Sequence, residues 1–176
     1  NNANGVSLSG DFGADSLNLN TGIFDIQNNI LTMNHEILTS GSFSNTLMVE
    51  TNGNASDGGI EYFFDGTSDP SSIMYPFGSN SKYTPAQIDL INVVDDGYVQ
   101  INPVDAELLT TEQTGGDILS YYWSVSNRNF STLPEVSTLT LTADAADDPT
   151  GGPLTSFVPG AVENGVDSDD NPSPET

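Results

Sequence analysis

Between Val6 and about Phe64, apolar residues come in short bursts alternating with polar ones. The bursts are Val6-Ser7-Leu8, Leu17-Asn18-Leu19, Ile23-Phe24-Asp25-Ile26, Ile30-Leu31-Thr32-Met33, Leu47-Met48-Val49 and Ile60-Glu61-Tyr62-Phe63-Phe64. A period of two sends alternate side chains to opposite faces, which predicts strands with one buried face. Turn formers separate them: Asn20-Thr21-Gly22, Asn28-Asn29, Ser40-Gly41-Ser42 and Asn52-Gly53-Asn54. The runs are too short and too evenly spaced for helices. "LNLNTGIFDI" followed by "NNILTMNHEIL" reads as two imperfect rungs. Residues 1–68 are therefore expected to form a short β-solenoid-like stack or a plain meander of strands.

After a Gly/Ser/Asp/Pro break at residues 65–70 the strands lengthen. Ala86–Val94 and Tyr98–Val104 read as partners across a tight hairpin turn at Asp95-Asp96-Gly97. Leu119–Ser126 and Val136–Ala143 supply two more strands, and only Asp105–Gln113 has room for a helical turn. Residues 69–143 are thus expected to form an antiparallel β-sandwich on which the first half packs. Residues 144–176 hold eight acids, five prolines and no Lys or Arg, the composition of an acidic linker. Within it Leu154–Val158 could add an edge strand. The expected fold is all-β throughout.

Charge and composition narrow the function classes. The 176 residues include 25 Asp and Glu against two basic residues, Lys82 and Arg128, for a formal charge of -23. So little positive charge cannot neutralise phosphates, which excludes nucleic acid as a natural partner. No apolar run reaches the roughly 18 residues of a membrane-spanning helix. The chain has no cysteine, which removes disulfides and thiolate metal sites. Ser, Thr and Asn make up 55 of the 176 residues, a composition of extracellular type.

Candidate chemistry is sparse. Carboxylates make calcium the most plausible bound ion, since it takes six to eight oxygens. Asp167, Asp169 and Asp170 resemble a calcium loop but lack its turn glycine and closing Glu; solvated linker acids are the plainer reading. Asp144 with Asp147-Asp148, and Asp95-Asp96, are further acidic clusters, the latter already explained by a turn. His35 lies in a strand pattern, with no second His or Cys for zinc and no nucleophile elbow for a triad. Tyr121 and Trp123 could stack on a sugar, or point inward from a strand as core. Lys82 and Arg128 are expected to find carboxylates as surface pairs of small energetic weight. No motif selects a catalytic carboxylate pair.

Several segments in order carry a resemblance. "SLNLNTGIFDIQNNILTMN" resembles the rungs of giant secreted cell-surface proteins of the Bacteroidota. "MYPFGSNSKYTPAQIDLINVVDDGYVQINPV" resembles the segment that follows in those proteins, and "ILSYYWSVSN" their aromatic strand. The order covers roughly residues 15–143. These proteins are multi-module adhesins and filaments, many exported by the type IX secretion system. The resemblance implies an extracellular, cell-surface, non-catalytic module. Its partners would be neighbouring modules or subunits of the same surface protein, with glycans as further candidates. It also implies O-glycosylation at Ser16, within Asp15-Ser16-Leu17. The alternatives are a filament subunit assembled by strand donation and a carbohydrate-binding module.

Overall fold

The structure is a computed structural model that describes residues 5–67, 71–108 and 119–147. It is all-β. The chain first coils, laying down three strands per turn. The first turn contributes β1 (Val6–Ser7), β2 (Phe12–Ala14) and β3 (Leu17–Asn18). The second adds β4 (Phe24–Gln27), β5 (Ile30–Met33) and β6 (Ile37–Leu38). The third adds β7 (Val49–Thr51), β8 (Gly59–Phe64) and β9 (Ser71–Tyr75). Successive turns pair in parallel: Val6 with Phe24, Phe24 with Val49, Phe12 with Leu31, Leu31 with Ile60, and Leu17 with Ile37. Parallel neighbours need a long crossover between them, and here each crossover is the rest of a turn.

The coiling then reverses. β10 (Phe77–Ser79) adds in parallel to β7, and β11 (Lys82–Tyr83) folds back on it. Asn80 and Ser81 between them both have positive φ, 50° and 65°, as a two-residue hairpin loop with the twist of its strands requires. The returning chain lays β12 (Ala86–Ile91) antiparallel on β9 and β13 (Gly97–Val104) antiparallel on β8. β14 (Tyr122–Arg128) pairs with β13, and β15 (Glu135–Leu141) with β12. The two five-stranded sheets run β1-β4-β7-β10-β11 and β14-β13-β8-β5-β2. Strands from both sides of residue 68 therefore share sheets.

They also share one core. Ile26, Leu31, Met33, Ile60, Tyr62, Tyr75, Phe77, Ile88, Leu90 and Ile101 belong to a single buried cluster. Tyr62 and Tyr75 meet edge to face, 4.8 Å apart. Both phenols are satisfied: Ile37 N donates to Tyr62 Oη at 3.1 Å, and Tyr75 Oη donates to the Val99 carbonyl at 2.9 Å. Tyrosine suits this core because its ring packs as an apolar body while its hydroxyl finds a backbone partner.

Four expectations need correction. Asp95-Asp96-Gly97 does not close a hairpin. Both edges of β12 are taken by β9 and β15, and both edges of β13 by β8 and β14, so the turn carries the chain between sheets. His35 lies in the bend between β5 and β6 and is exposed. Arg128, expected in an exposed surface pair, ends β14 against the buried carboxylate of Glu61. Residues 144–147 are docked, with Ala145–Asp147 forming a 3-10 turn whose Asp147 is buried. Of the segment expected to hold a helical turn, residues 105–108 are not helical. The rest of it, and the Leu154–Val158 strand, lie outside the described residues.

Candidate functional site

The two cations of this acidic chain each hold carboxylates taken out of water. Lys82, at the start of β11, places Nζ 2.7 Å from Asp105 Oδ1 and in contact with Asp147 Oδ1. The Asp147 side chain is fully buried and that of Lys82 is 23% exposed. Each acid is fixed by its own surroundings. Asp105 N donates to the Gly53 carbonyl, and Asn80 Nδ2 donates to Asp105 Oδ2. Ser120 N donates to the Asp147 carbonyl at 3.1 Å, and Asp147 N to that of Asp144 at 3.0 Å. Asp147 Oδ2 has no hydrogen-bond partner among the described residues. Burial pulls the Lys82 ammonium down, but hydrogen bonds and charge from Asp105 and Asp147 outweigh it and leave its pKa raised.

The same corner contains the aromatic pair. Tyr121 is 3% exposed, and its hydroxyl contacts Ser79 Oγ and Thr84 Oγ1. Trp123 Nε1 donates to the Thr84 carbonyl at 3.1 Å. The two rings are 5.3 Å apart and inclined at 62°. With Tyr121 buried and the rings inclined, the two do not form one flat platform. Tyr121 and Trp123 instead tie the start of β14 to the strand-turn segment that carries Lys82.

Burial, partly offset by the Ser79 and Thr84 hydroxyls, pushes the Tyr121 phenol up to about 12. Burial also raises Tyr62 and Tyr75. An unfolded tyrosine ionises near 10, so between that pH and the folded value the unfolded state loses protons first. Stability contributed by these phenols is complete below about pH 10 and is lost as pH rises toward 12. Tyrosinate absorbance should therefore rise together with loss of strand circular dichroism. Full ionisation with the strand signal intact would contradict the burial of these hydroxyls.

Arg128, at the end of β14, forms the second site. Its Nε and Nη2 donate to Glu61 Oε1 and Oε2 at 2.7 and 2.6 Å. Its guanidinium carbon lies 3.8 Å from the centroid of the Tyr98 ring. The Glu61 side chain is 4% exposed and that of Arg128 49%. Thr32 Oγ1 donates to Glu61 Oε2, so this outward-facing carboxylate of β8 links β5 to β14. The pair is a clamp across the sheet and not the exposed surface pair expected from sequence.

The remaining candidates are dispersed. Asp95 Oδ2 accepts from Ser131 Oγ and Thr132 N, and Asp96 Oδ1 from Gly66 N, so both acids organise loops. The Ser131 bond holds the Asp95 carboxyl below the usual range. His35 Nε2 is 3.8 Å from Asp15 Oδ1 at the rim of an open groove that also includes Glu36, Phe63 and Tyr98. Ser16 is exposed. No group of three His, Cys, Asp or Glu side chains able to hold a metal is present among the described residues. Asp148, Asp167, Asp169 and Asp170 lie outside them. No family model, curated protein or solved structure matches this chain.

Proposed function

We propose that the chain is a non-catalytic structural module of a long bacterial cell-surface protein, outside the cell and joined end to end with neighbouring modules. The observation that carries the reading is the way the sheets end. β1 and β2 at one end, and β11 and β14 at the other, are the outer strands of the two five-stranded sheets. Each has an edge with no strand partner among the described residues. Outer strands are templates for further pairing. Val6 and Phe12 at the first end are 49% and 44% exposed, as an unextended stack would leave them. The sequence resemblance supplies the cell-surface setting. The -23 charge keeps copies apart at low salt.

The same outer strands favour a second reading, a separate subunit that assembles into a filament through strand edges. One experiment separates the two. An antibody to this segment is applied to intact cells, and the released polypeptide is sized under denaturing conditions. A surface signal on a chain far heavier than 18.6 kDa is the expected result. A surface band near 18.6 kDa that runs as a large assembly when undenatured would replace the module with the subunit. An intracellular protein would overturn both.

A further inference from the structure

Lys82 is flanked by two carboxylates, and one of them is placed for more than an ion pair. The Asp147 side chain is fully buried. One of its oxygens meets Lys82 Nζ, and the other has no partner among the described residues. Asp105, 14% exposed, receives Nζ on one oxygen and Asn80 on the other. The two acids are therefore not equivalent. Both Asp105 oxygens have partners, whereas Asp147 buries an oxygen with none among the described residues, an arrangement that costs free energy.

We propose that Lys82 and Asp147 are joined by an intramolecular amide bond, with Asp105 shuttling the protons of the condensation. The step balances without any added reagent. The Lys82 ammonium passes one proton to Asp105, and the free amine attacks Asp147 Cγ. The nitrogen loses a second proton as the bond from Cγ to one oxygen breaks. That oxygen takes up both protons and departs as water. Ammonium and carboxylate thus become amide and water, the net charge is unchanged, and Asp105 ends as the carboxylate it began.

Three features favour the reaction at this position. Groups held in near-attack geometry reach effective concentrations of roughly 10⁵–10⁸ M, and Lys82 Nζ is held in contact with the Asp147 carboxyl. Burial of Asp147 keeps bulk water from the product. The amide also removes what the ion pair leaves unresolved, because Asp147 then has one oxygen instead of two. The retained carbonyl oxygen stays beside Ser120, whose Oγ is 3.5 Å from Oδ1. The bond would close a loop from residue 82 to residue 147, enclosing β12 to β15. In a chain with no cysteine, it would be the covalent staple of the reversed half. The inference stands on this corner alone and does not depend on the surface role.

Intact-mass measurement on the purified, folded full chain tests it. The expected mass is one water below that of the sequence. Trypsin should fail to cleave after Lys82, and a cross-linked peptide should join Lys82 to Asp147. Lys82→Arg and Asp147→Ala should each restore the full sequence mass. Asp105→Asn should keep the strand circular dichroism and yet show the full mass, which a purely structural role for Asp105 would not produce. A folded wild-type chain at full sequence mass overturns the proposal. So does loss of water that persists in Lys82→Arg, which would place a cyclisation elsewhere, for instance at Asp57-Gly58 or Asp65-Gly66.

Discussion

Arg128→Ala should destabilise the fold by about 2–3 kcal/mol, one of the largest effects of any substitution at a half-exposed side chain. Surface ion pairs contribute under about 1 kcal/mol, whereas removing one partner of a buried pair costs about 3–5 kcal/mol. This pair lies between the limits: Glu61 is 4% exposed, but Arg128 is 49% exposed and water can partly replace it. The substitution also removes the cation above Tyr98, 3.8 Å from its ring. Denaturant midpoints should show the loss. Arg128→Lys should recover only part of it, because an ammonium cannot reproduce two parallel hydrogen bonds. Adding Glu61→Gln to Arg128→Ala should restore about half, since the amide removes the buried charge and still accepts from Thr32. A midpoint unchanged in Arg128→Ala would reduce the clamp to an ordinary surface pair.

Gly59→Ala should be more damaging, about 4 kcal/mol or more and sufficient to prevent folding in a marginal chain. Gly59 begins β8 at φ 74°, a region that other residues enter only at a cost. A Cβ there would lie 2.3 Å from the Ile101 carbonyl oxygen and 2.8 Å from Asn102 Cα. Both atoms are backbone of β13, so the clash falls on the pairing that joins the two halves of the chain. Gly10→Ala is the matched control, because a Cβ at that position meets nothing within 4 Å. It should change stability by no more than about 0.5 kcal/mol. Equal effects from the two substitutions would refute the close approach of β8 and β13.

Strands whose apolar side chains alternate could be read directly from the sequence, as at Ile30-Leu31-Thr32-Met33 and Tyr98–Val104. β2 and β6 could not. Phe12-Gly13-Ala14 alternates nothing, and two residues, Ile37-Leu38, are too few to show a period. Pairing was the harder part. Asp95-Asp96-Gly97 has hairpin chemistry, but whether it closes a hairpin depends on free strand edges, and those are occupied by β9, β15, β8 and β14 from elsewhere in the chain.

The candidate site was half visible for the same reason. Two cations among 25 acids stand out in any reading, but their partners do not. Alternation puts Glu61 on the outer face of its strand, and nothing local says that Arg128 will cover it. Asp147 falls within a stretch whose composition reads as linker, although the Ala145–Asp147 turn carries it into the corner beside Lys82 and Ser120.

Strands from both halves share sheets and one buried core, so the described chain should unfold as one body. Trp123, the single tryptophan, reports on the second half through its fluorescence. Hydrogen exchange at Ile26 and Leu31 amides reports on the first. Denaturant titration followed by both should give coincident midpoints, as one cooperative unit requires. If the Ile26 and Leu31 amides lose protection while the Trp123 signal remains native, the parallel coil and the reversed strands are separate bodies, which contradicts a shared core.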